Sequence, residues 1–284
     1  MTLLVPATLF MVMFALGLGL PGERLALVHH RPGLLLRVLL GSCLLVPLLA
    51  LLLLRLPFSA TLPEAARLAI ALMAICPSAP LILRQADQAN GDAALAMQLQ
   101  VAAALAAILS VPLMAGLYTL ALGLEGWDIG PVAVARQVGF AQILPLACGV
   151  LVRRRWPSWA QRRLVFCDRL ANLLLLSVLL LVLVKAGPAL LNFALINGPT
   201  LVLMAAVVLL SLLVGWWAAG SGRHERTTVP LVTSMRNPGL ALFFASTAAP
   251  SLTGLKLAIL LYVLVTVLLE IPYVRWRARL AAVS

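Results

Sequence analysis

Two short segments carry the residue types that could bind a ligand. One is Cys76-Pro77-Ser78-Ala79-Pro80, and the other is Arg236-Asn237-Pro238-Gly239. Proline removes a backbone donor and clashes with the preceding turn, so each segment is predicted to interrupt a helix. The freed backbone groups, together with a guanidinium, an amide, a hydroxyl and a thiol, predict a binding site for an ion or a small polar ligand.

The elements that position these segments are apolar. The 284 residues are 63% hydrophobic and 11% charged, with a mean hydropathy of +1.08, whereas soluble domains carry about 25% charged residues. The apolar residues form separate runs of the ~20 residues that cross a bilayer, where only helices or closed barrels satisfy the backbone. Runs such as Leu173–Val184 do not alternate as barrel strands do. The sequence therefore predicts an all-α polytopic membrane protein.

About nine runs reach spanning length, and residues 1–284 are expected to form a single membrane-embedded domain. The predicted spans are Leu3–Leu20, Gly33–Leu54, Ala65–Leu83, Ala93–Leu120, Val132–Val152, Leu170–Ala186, Thr200–Ala219, Thr228–Ala248 and Leu255–Val274. The two interrupted segments fall in the third and eighth spans, which run in opposite directions. A pair of broken helices, one in each half of a chain, is typical of an inverted repeat with a transport site at the membrane midplane.

The net charge of +12 first suggests nucleic acid, but the basic residues cluster at helix ends on one side, as the positive-inside rule expects. We therefore expect a lipid bilayer and no nucleic acid as partner, with the N-terminus outside and the C-terminus in the cytoplasm, in a bacterial inner membrane. The densest basic stretch, Arg153–Arg163, is interpreted as a loop that anchors topology. A site for anionic lipid or a regulator is the alternative.

Enzyme chemistry finds no support in the sequence. The histidines His29, His30 and His224 fall in predicted cytoplasmic loops, and no nucleophile with its base, paired carboxylates or nucleotide loop is present. The four cysteines have no metal-ligand spacing. We expect no enzyme activity, no cofactor and no metal site.

Three stretches resemble the bile acid:sodium symporter family. Met11–Leu20 is similar to the family's Met-Phe-Gly-Met-Gly-Leu start, Cys76–Asp92 to its Cys-Pro-Gly-Gly-Thr-x-Ser-Asn segment and the following Gly-Asp, and Met235–Ala241 to its Glu-x-Gly-x-Gln-Asn-x-Gly-Leu. The resemblance implies two inverted repeats of five helices, here with the first helix absent. It places helices two to four and seven to nine in a core and helices one, five and six in a panel, with substrate bound between them.

The departures from the family pattern fall on the positions that hold two sodium ions in sodium-coupled members. Apolar or basic residues replace oxygen ligands at Pro80, Ile82, Leu83, Val232 and Arg236, while Ser42 and Gln100 replace a Gln and a Thr. Sodium, a hard cation, needs such oxygens, so sodium is possible but not expected. Arg236 either stands in for a bound sodium, binds the substrate's carboxylate, or caps carbonyls of the broken third helix. The full set of candidate site residues is Ser42, Cys76, Pro77, Ser78, Pro80, Gln100, Thr233, Ser234, Arg236, Asn237 and Gly239.

The sequence thus predicts a secondary transporter that moves a small organic anion by alternating access. Proton coupling is an open alternative, with Glu270, Asp168 and Asp92 as candidate groups. A second alternative is a homologue that no longer transports and acts as a sensor or scaffold. A third is an arsenite carrier of the same fold, in which the Cys76 thiolate would bind the ligand.

Overall fold

The computed structural model describes residues 4–19, 31–79, 82–123, 129–247 and 249–282, and the regular structure in these ranges is helical throughout. The α-helices are α1 (Leu4–Gly19), α2 (Pro32–Leu40), α3 (Val46–Leu54), α4 (Glu64–Ile75), α5 (Ile82–Gln88), α6 (Ala93–Leu122), α7 (Pro131–Val138), α8 (Leu144–Arg155), α9 (Pro157–Ile196), α10 (Gly198–Ala218), α11 (Arg223–Ser234), α12 (Pro238–Thr247) and α13 (Leu255–Ala282). This confirms the all-α prediction.

Six helical stretches in the described part of the chain are long and apolar enough to cross a membrane. They are Pro32–Leu54, Ala93–Leu122, Pro131–Arg155, Pro157–Val182, Gly198–Ala218 and Leu255–Leu280, with shorter apolar helices at Pro6–Gly19 and Val184–Ile196. The third and eighth predicted spans are absent from this set because each is divided into two short helices, α4 with α5 and α11 with α12. Length and composition therefore indicate a polytopic membrane protein.

Two of the long stretches contain a π-helical turn. Gly41–Leu45 joins α2 to α3, and Gly139–Ile143 joins α7 to α8. Each turn ends two residues before a proline, Pro47 or Pro145. Proline provides no N–H and its ring clashes with the carbonyl one turn earlier, and a wider turn at that point lets the helix continue. A π turn also frees carbonyl groups, which becomes important at Ser42.

The sixth predicted span differs from the structure. Residues Arg153–Arg163 were expected to form a loop before a helix at Leu170–Ala186, but α8 runs through Arg155 and α9 extends from Pro157 to Ile196, over 40 residues. Such a helix is about 60 Å long, roughly twice the hydrocarbon thickness of a bilayer. The loop prediction is wrong because arginine is a good helix former. Only Trp156 leaves the helical conformation, since the following proline disfavours it there.

The helices pack in two groups that also contact each other. One group is α1 with α8 and α9, and the other is α3, α4, α10, α11 and α13, with α9 packed against α13. The long helix α6 contacts α7 and α11. The first group is very closely packed, because a Cβ on Gly17 would lie 2.2 Å from the Leu146 carbonyl oxygen and one on Gly149 would lie 2.3 Å from that of Phe14. Small residues permit such close helix contacts in membranes.

Candidate functional site

Both predicted interruptions are present as breaks in the helices. α4 ends at Ile75 and α5 begins at Ile82, while α11 ends at Ser234 and α12 begins at Pro238. The backbone N–H of Asn237 donates to the Cys76 carbonyl at 3.0 Å, and that of Ala79 donates to the Met235 carbonyl at 3.2 Å. The two extended segments, Cys76–Ala79 and Met235–Asn237, therefore pair with each other, and we call this pair the crossing. Pro80 lies outside the described residues.

Ser78 carries backbone strain within the crossing. Its φ angle is +44°, in the left-handed region that glycine adopts most easily. The side chain is 1% exposed, and its hydroxyl has no hydrogen-bond partner among the described residues. The local conformation is thus fixed by the surrounding structure and not by the preference of the residue itself.

Arg236 lies at the centre of the crossing and is 1% exposed. Its Nε donates to the Met73 carbonyl at 3.2 Å, its Nη1 to the Ser42 hydroxyl at 3.1 Å and to the Thr233 carbonyl at 3.3 Å. Its Nη2 donates to the Ser42 carbonyl at 3.0 Å and to the Ala74 carbonyl. A guanidinium has five N–H donors, so every donor of Arg236 is directed at a protein oxygen.

The oxygens around Arg236 are those that the chain breaks leave without a helical donor. Met73 and Ala74 belong to the last turn of α4, and Thr233 to the last turn of α11, where carbonyls lack the donor four residues on. The Met73 carbonyl also accepts a bond of 3.3 Å from the Cys76 N–H. The Ser42 carbonyl lies in a π turn whose expected donor, five residues on, is the N–H that Pro47 lacks. Arg236 therefore satisfies acceptors that would otherwise be buried and unpaired.

The electrostatics of the crossing also require a cation. α4 and α11 both end there, and each helix C-terminus is equivalent to about half a negative charge. A single positive charge between two such termini offsets both. In this chain that positive charge is the buried guanidinium of Arg236.

A buried carboxylate lies beside the crossing. Glu270 of α13 is 0% exposed, and its Oε1 accepts a hydrogen bond of 2.7 Å from the Ser234 hydroxyl at the end of α11. The side chain of Gln85 on α5 lies near this carboxylate. Glu270 is predicted from the sequence as a candidate group for proton coupling but not as part of the site, and Gln85 is not predicted. The signal that points to Glu270 is an acidic residue within an apolar run.

The remaining candidate residues divide between the crossing and its surroundings. Asn237 accepts a bond of 3.1 Å from the Leu240 N–H and so caps α12, next to Gly239. Pro77 is buried in the first extended segment. Gln100 is 1% exposed, but its amide faces the Met13 sulfur of α1 at 3.9 Å and not Arg236. It therefore lies where α6 contacts the first helix group.

Three positions at which the family resemblance implies oxygen ligands for sodium carry aliphatic residues, Ile82, Leu83 and Val232. Ile82 and Val232 are fully buried and offer no oxygen, and the side chain of Leu83 lies outside the described set. Within the described residues no group of three or more His, Cys, Asp and Glu side chains is arranged to hold a metal ion.

A separate cavity of about 610 Å³ lies between α7 and α12, within the range of ligand pockets. Its lining combines a guanidinium, polar groups and two aromatic rings: Arg136, Gln137, Phe140, Phe243 and Thr247. Arg136 is exposed, and no hydrogen bond to it is seen in the described part of the chain.

A family model described as the Sodium Bile acid symporter family matches residues 6–193, more than half of the chain. The chain belongs to this family. It is accordingly an integral membrane protein of a transporter family, with a small-molecule substrate and a lipid environment. No curated protein matches the chain. The matched residues include the first extended segment of the crossing, Cys76–Ala79, but end before the second, Met235–Asn237. The surroundings of Arg236 are therefore known from the structure and not from the family match.

Proposed function

We propose that the protein is a secondary transporter that moves a small organic anion by alternating access without the sodium sites typical of its family. The observation that carries the proposal is the Arg236 guanidinium, which meets five protein oxygens between two helix C-termini. The positive charge that the crossing needs is thus part of the chain, and a sodium ion there would be repelled.

The architecture proposed for transport has nine helices in an inverted repeat, with α1, α7, α8 and α9 as panel and the remaining helices as core. The packing of α1 with α8 and α9 supports the panel, and the paired breaks of α4–α5 and α11–α12 support the repeat. Alternating access is then a movement of the core against the panel. Since α6 contacts both groups, this movement takes place along its surface.

The substrate's anionic group is assigned to Arg136 and not to Arg236. Arg236 has all five donors directed at protein oxygens, whereas Arg136 lines the cavity between α7 of the panel and α12 of the core. A guanidinium binds a carboxylate through two parallel hydrogen bonds, and Phe140 and Phe243 offer apolar surface to the rest of the molecule. The proposed substrate class is therefore a carboxylate with an apolar body.

The orientation proposed from the charge distribution places the C-terminus in the cytoplasm of a bacterial cell, with the protein in the inner membrane. Near the end of α13, Arg277 donates to the Thr227 hydroxyl and to the Arg223 carbonyl of α11. Tyr273 of α13 donates to the Arg226 carbonyl of the same helix. These bonds bring basic residues of α11 and α13 together, which supports a basic cluster on one side of the membrane. A reporter that is active only in the cytoplasm, fused to the C-terminus, should be active. Activity of an external reporter at the same position would reverse this orientation.

The experiment that tests the function has a binding stage and a transport stage. Thermal stabilisation of the purified protein is measured over a library of carboxylates in sodium and in choline, because a ligand of the folded state raises its stability by mass action. A stabilising carboxylate is then assayed for uptake into proteoliposomes. We expect binding and uptake that are equal in sodium and choline.

Arg136→Gln is expected to weaken carboxylate binding about tenfold, or ~1.4 kcal/mol. Lys256→Gln is the matched control, because Lys256 is an exposed cation at the second residue of α13. Equal affinity in the two variants would remove Arg136 from the site. Binding without uptake would favour the homologue that no longer transports, and uptake only in sodium would contradict the proposal.

A further inference from the structure

Glu270 has no role in the function described so far. Among the side chains that the structure describes, it is the one fully buried carboxylate, at 0% exposure. It lies seven residues before Arg277 on α13, or about 10 Å along the helix axis. An intramembrane acidic residue is costly and marks a functional site by default.

The contacts of Glu270 join both broken helices on the same side of the crossing. Ser234 is the last residue of α11, and its hydroxyl donates to Glu270 Oε1 at 2.7 Å. Gln85 lies on α5, the continuation of the other broken helix, which packs against α13 and places Gln85 near the same carboxylate. A change at Glu270 therefore reaches α5 and α11 directly, two residues from Arg236.

No cation in the described residues compensates the Glu270 carboxylate. The guanidinium of Arg236 is occupied by carbonyls, Arg277 bonds to Thr227 and to the Arg223 carbonyl, and Arg226 bonds to the Gly220 carbonyl. Other charged or titratable residues on described helices packed against α13 come from four helices. They are Glu64 and Arg67 of α4, Arg162, Arg163, Asp168, Arg169 and Lys185 of α9, Arg223, His224 and Glu225 of α11, and Lys256, Tyr262, Tyr273, Arg275 and Arg279 of α13 itself. The Glu225 carboxylate forms an ion pair with Arg31.

The hydrogen-bond pattern around Glu270 is short of one hydrogen. Glu270 Oε2 and Gln85 Oε1 are both buried oxygen atoms without a donor in the described structure. An ionised carboxylate and an amide oxygen are both acceptors, so neither atom can satisfy the other. A proton on Glu270 Oε2 makes that atom a donor and removes the buried charge at the same time.

We infer that Glu270 binds one exchangeable proton and that this proton takes the coupling role that sodium has in sodium-dependent relatives. The inference rests on the proposed sodium-independent transport. In this arrangement Arg236 provides the fixed positive charge of the crossing and Glu270 provides the exchangeable one. Binding of the proton neutralises the carboxylate, and its release to water leaves a buried negative charge next to the last residue of α11, where the Ser234 hydroxyl donates to it.

Proton binding is tested on the purified protein without any substrate. Infrared spectroscopy in H₂O and D₂O at or below neutral pH should show the C=O stretch of a protonated, buried carboxyl group. This band should be absent from Glu270→Gln and unchanged in the matched control Glu64→Gln, because Glu64 is an exposed carboxylate in the first turn of α4. Ser234→Ala should shift the band without removing it, which keeps the test valid if Glu270→Gln folds poorly.

Two further readouts use the proton itself as the probe. Unfolding in weakly buffered detergent at neutral pH should release about one more proton per molecule from wild type than from Glu270→Gln. Amide hydrogen exchange in α5 and α11, corrected for the intrinsic pH dependence of exchange, should vary with pH in wild type and not in Glu270→Gln.

An ionised Glu270 in the infrared spectrum, or a band that responds to sodium and not to choline, would overturn the inference. These measurements need no transport. A protein that fails in proteoliposomes but shows the protonated band loses the proposed function and keeps the proton site, whereas a sodium-independent transporter without the band loses only the proton site.

Discussion

Replacing Arg236 by glutamine perturbs the crossing most directly. The wild-type guanidinium donates to Met73, Ala74, Thr233 and Ser42, with two bonds to the last of these. Glutamine has two N–H donors, so at least three of the five oxygen atoms lose their partner. The positive charge between the C-termini of α4 and α11 is lost as well.

The expected loss of folding free energy follows from the number of oxygen atoms that lose a donor. Three buried acceptors at about 1–3 kcal/mol each amount to ~6 kcal/mol at mid-range. About 3 kcal/mol is recovered because a charged side chain no longer has to be buried in the membrane. The variant should therefore be destabilised by about 3 kcal/mol in the absence of a replacement cation.

Sodium should reverse most of this loss in the variant. The vacated oxygens are carbonyls and a hydroxyl, which are the ligands that hard cations prefer. A ligand present at a hundred times its dissociation constant adds about 2.7 kcal/mol, close to the expected deficit. The assay is thermal unfolding of the purified protein in sodium and in choline at equal ionic strength.

The matched control is Arg277→Gln. Arg277 is also a buried arginine, at 8% exposure, with bonds to Thr227 and to the Arg223 carbonyl, but it lies outside the crossing. We expect this variant to lose stability without any response to sodium. The reasoning fails if Arg236→Gln is as stable as wild type in choline, if Arg277→Gln responds equally to sodium, or if wild type is itself stabilised by sodium.

Three other substitutions test separate parts of the structure. Adding Val232→Glu to Arg236→Gln should tighten sodium binding about tenfold, or ~1.4 kcal/mol, because it places a carboxylate on the buried face of α11. An unchanged sodium affinity in a titration would show that residue 232 does not face the vacated site. Gly149→Ala should lower stability by about 1–3 kcal/mol by overpacking α1 against α8, whereas Gly116→Ala, which meets no atom within 4 Å, should be neutral or stabilising. Ser78→Gly should raise the melting temperature, since it relieves about 1 kcal/mol of strain from the left-handed conformation at φ +44°. A lower melting temperature would mean that the serine side chain stabilises the segment.

Several features of the fold follow from local chemistry and are therefore accessible in the sequence. The helix ends at Ile75 and Ser234 follow from prolines that cannot continue a helix. The bounds of most unbroken helices lie near those of the apolar runs, because a membrane imposes both length and composition, and α9 is the exception. The predicted loop at Arg153–Arg163 failed for a related reason, since charge determines on which side of the membrane a segment lies but does not prevent it from being helical.

The sequence by itself determined the class of the protein and the positions of the two breaks, whereas the tertiary structure decided what the buried charges do. Arg236 was identified from its position before Asn237, but three roles remained open. The structure directs its donors at oxygens up to 194 residues away in the chain, and it joins Glu270 to Ser234 across 36 residues. Proline acts on its own turn of helix, but the partner of a buried charge depends on which distant acceptors the packing leaves unpaired, and only the folded chain brings those together.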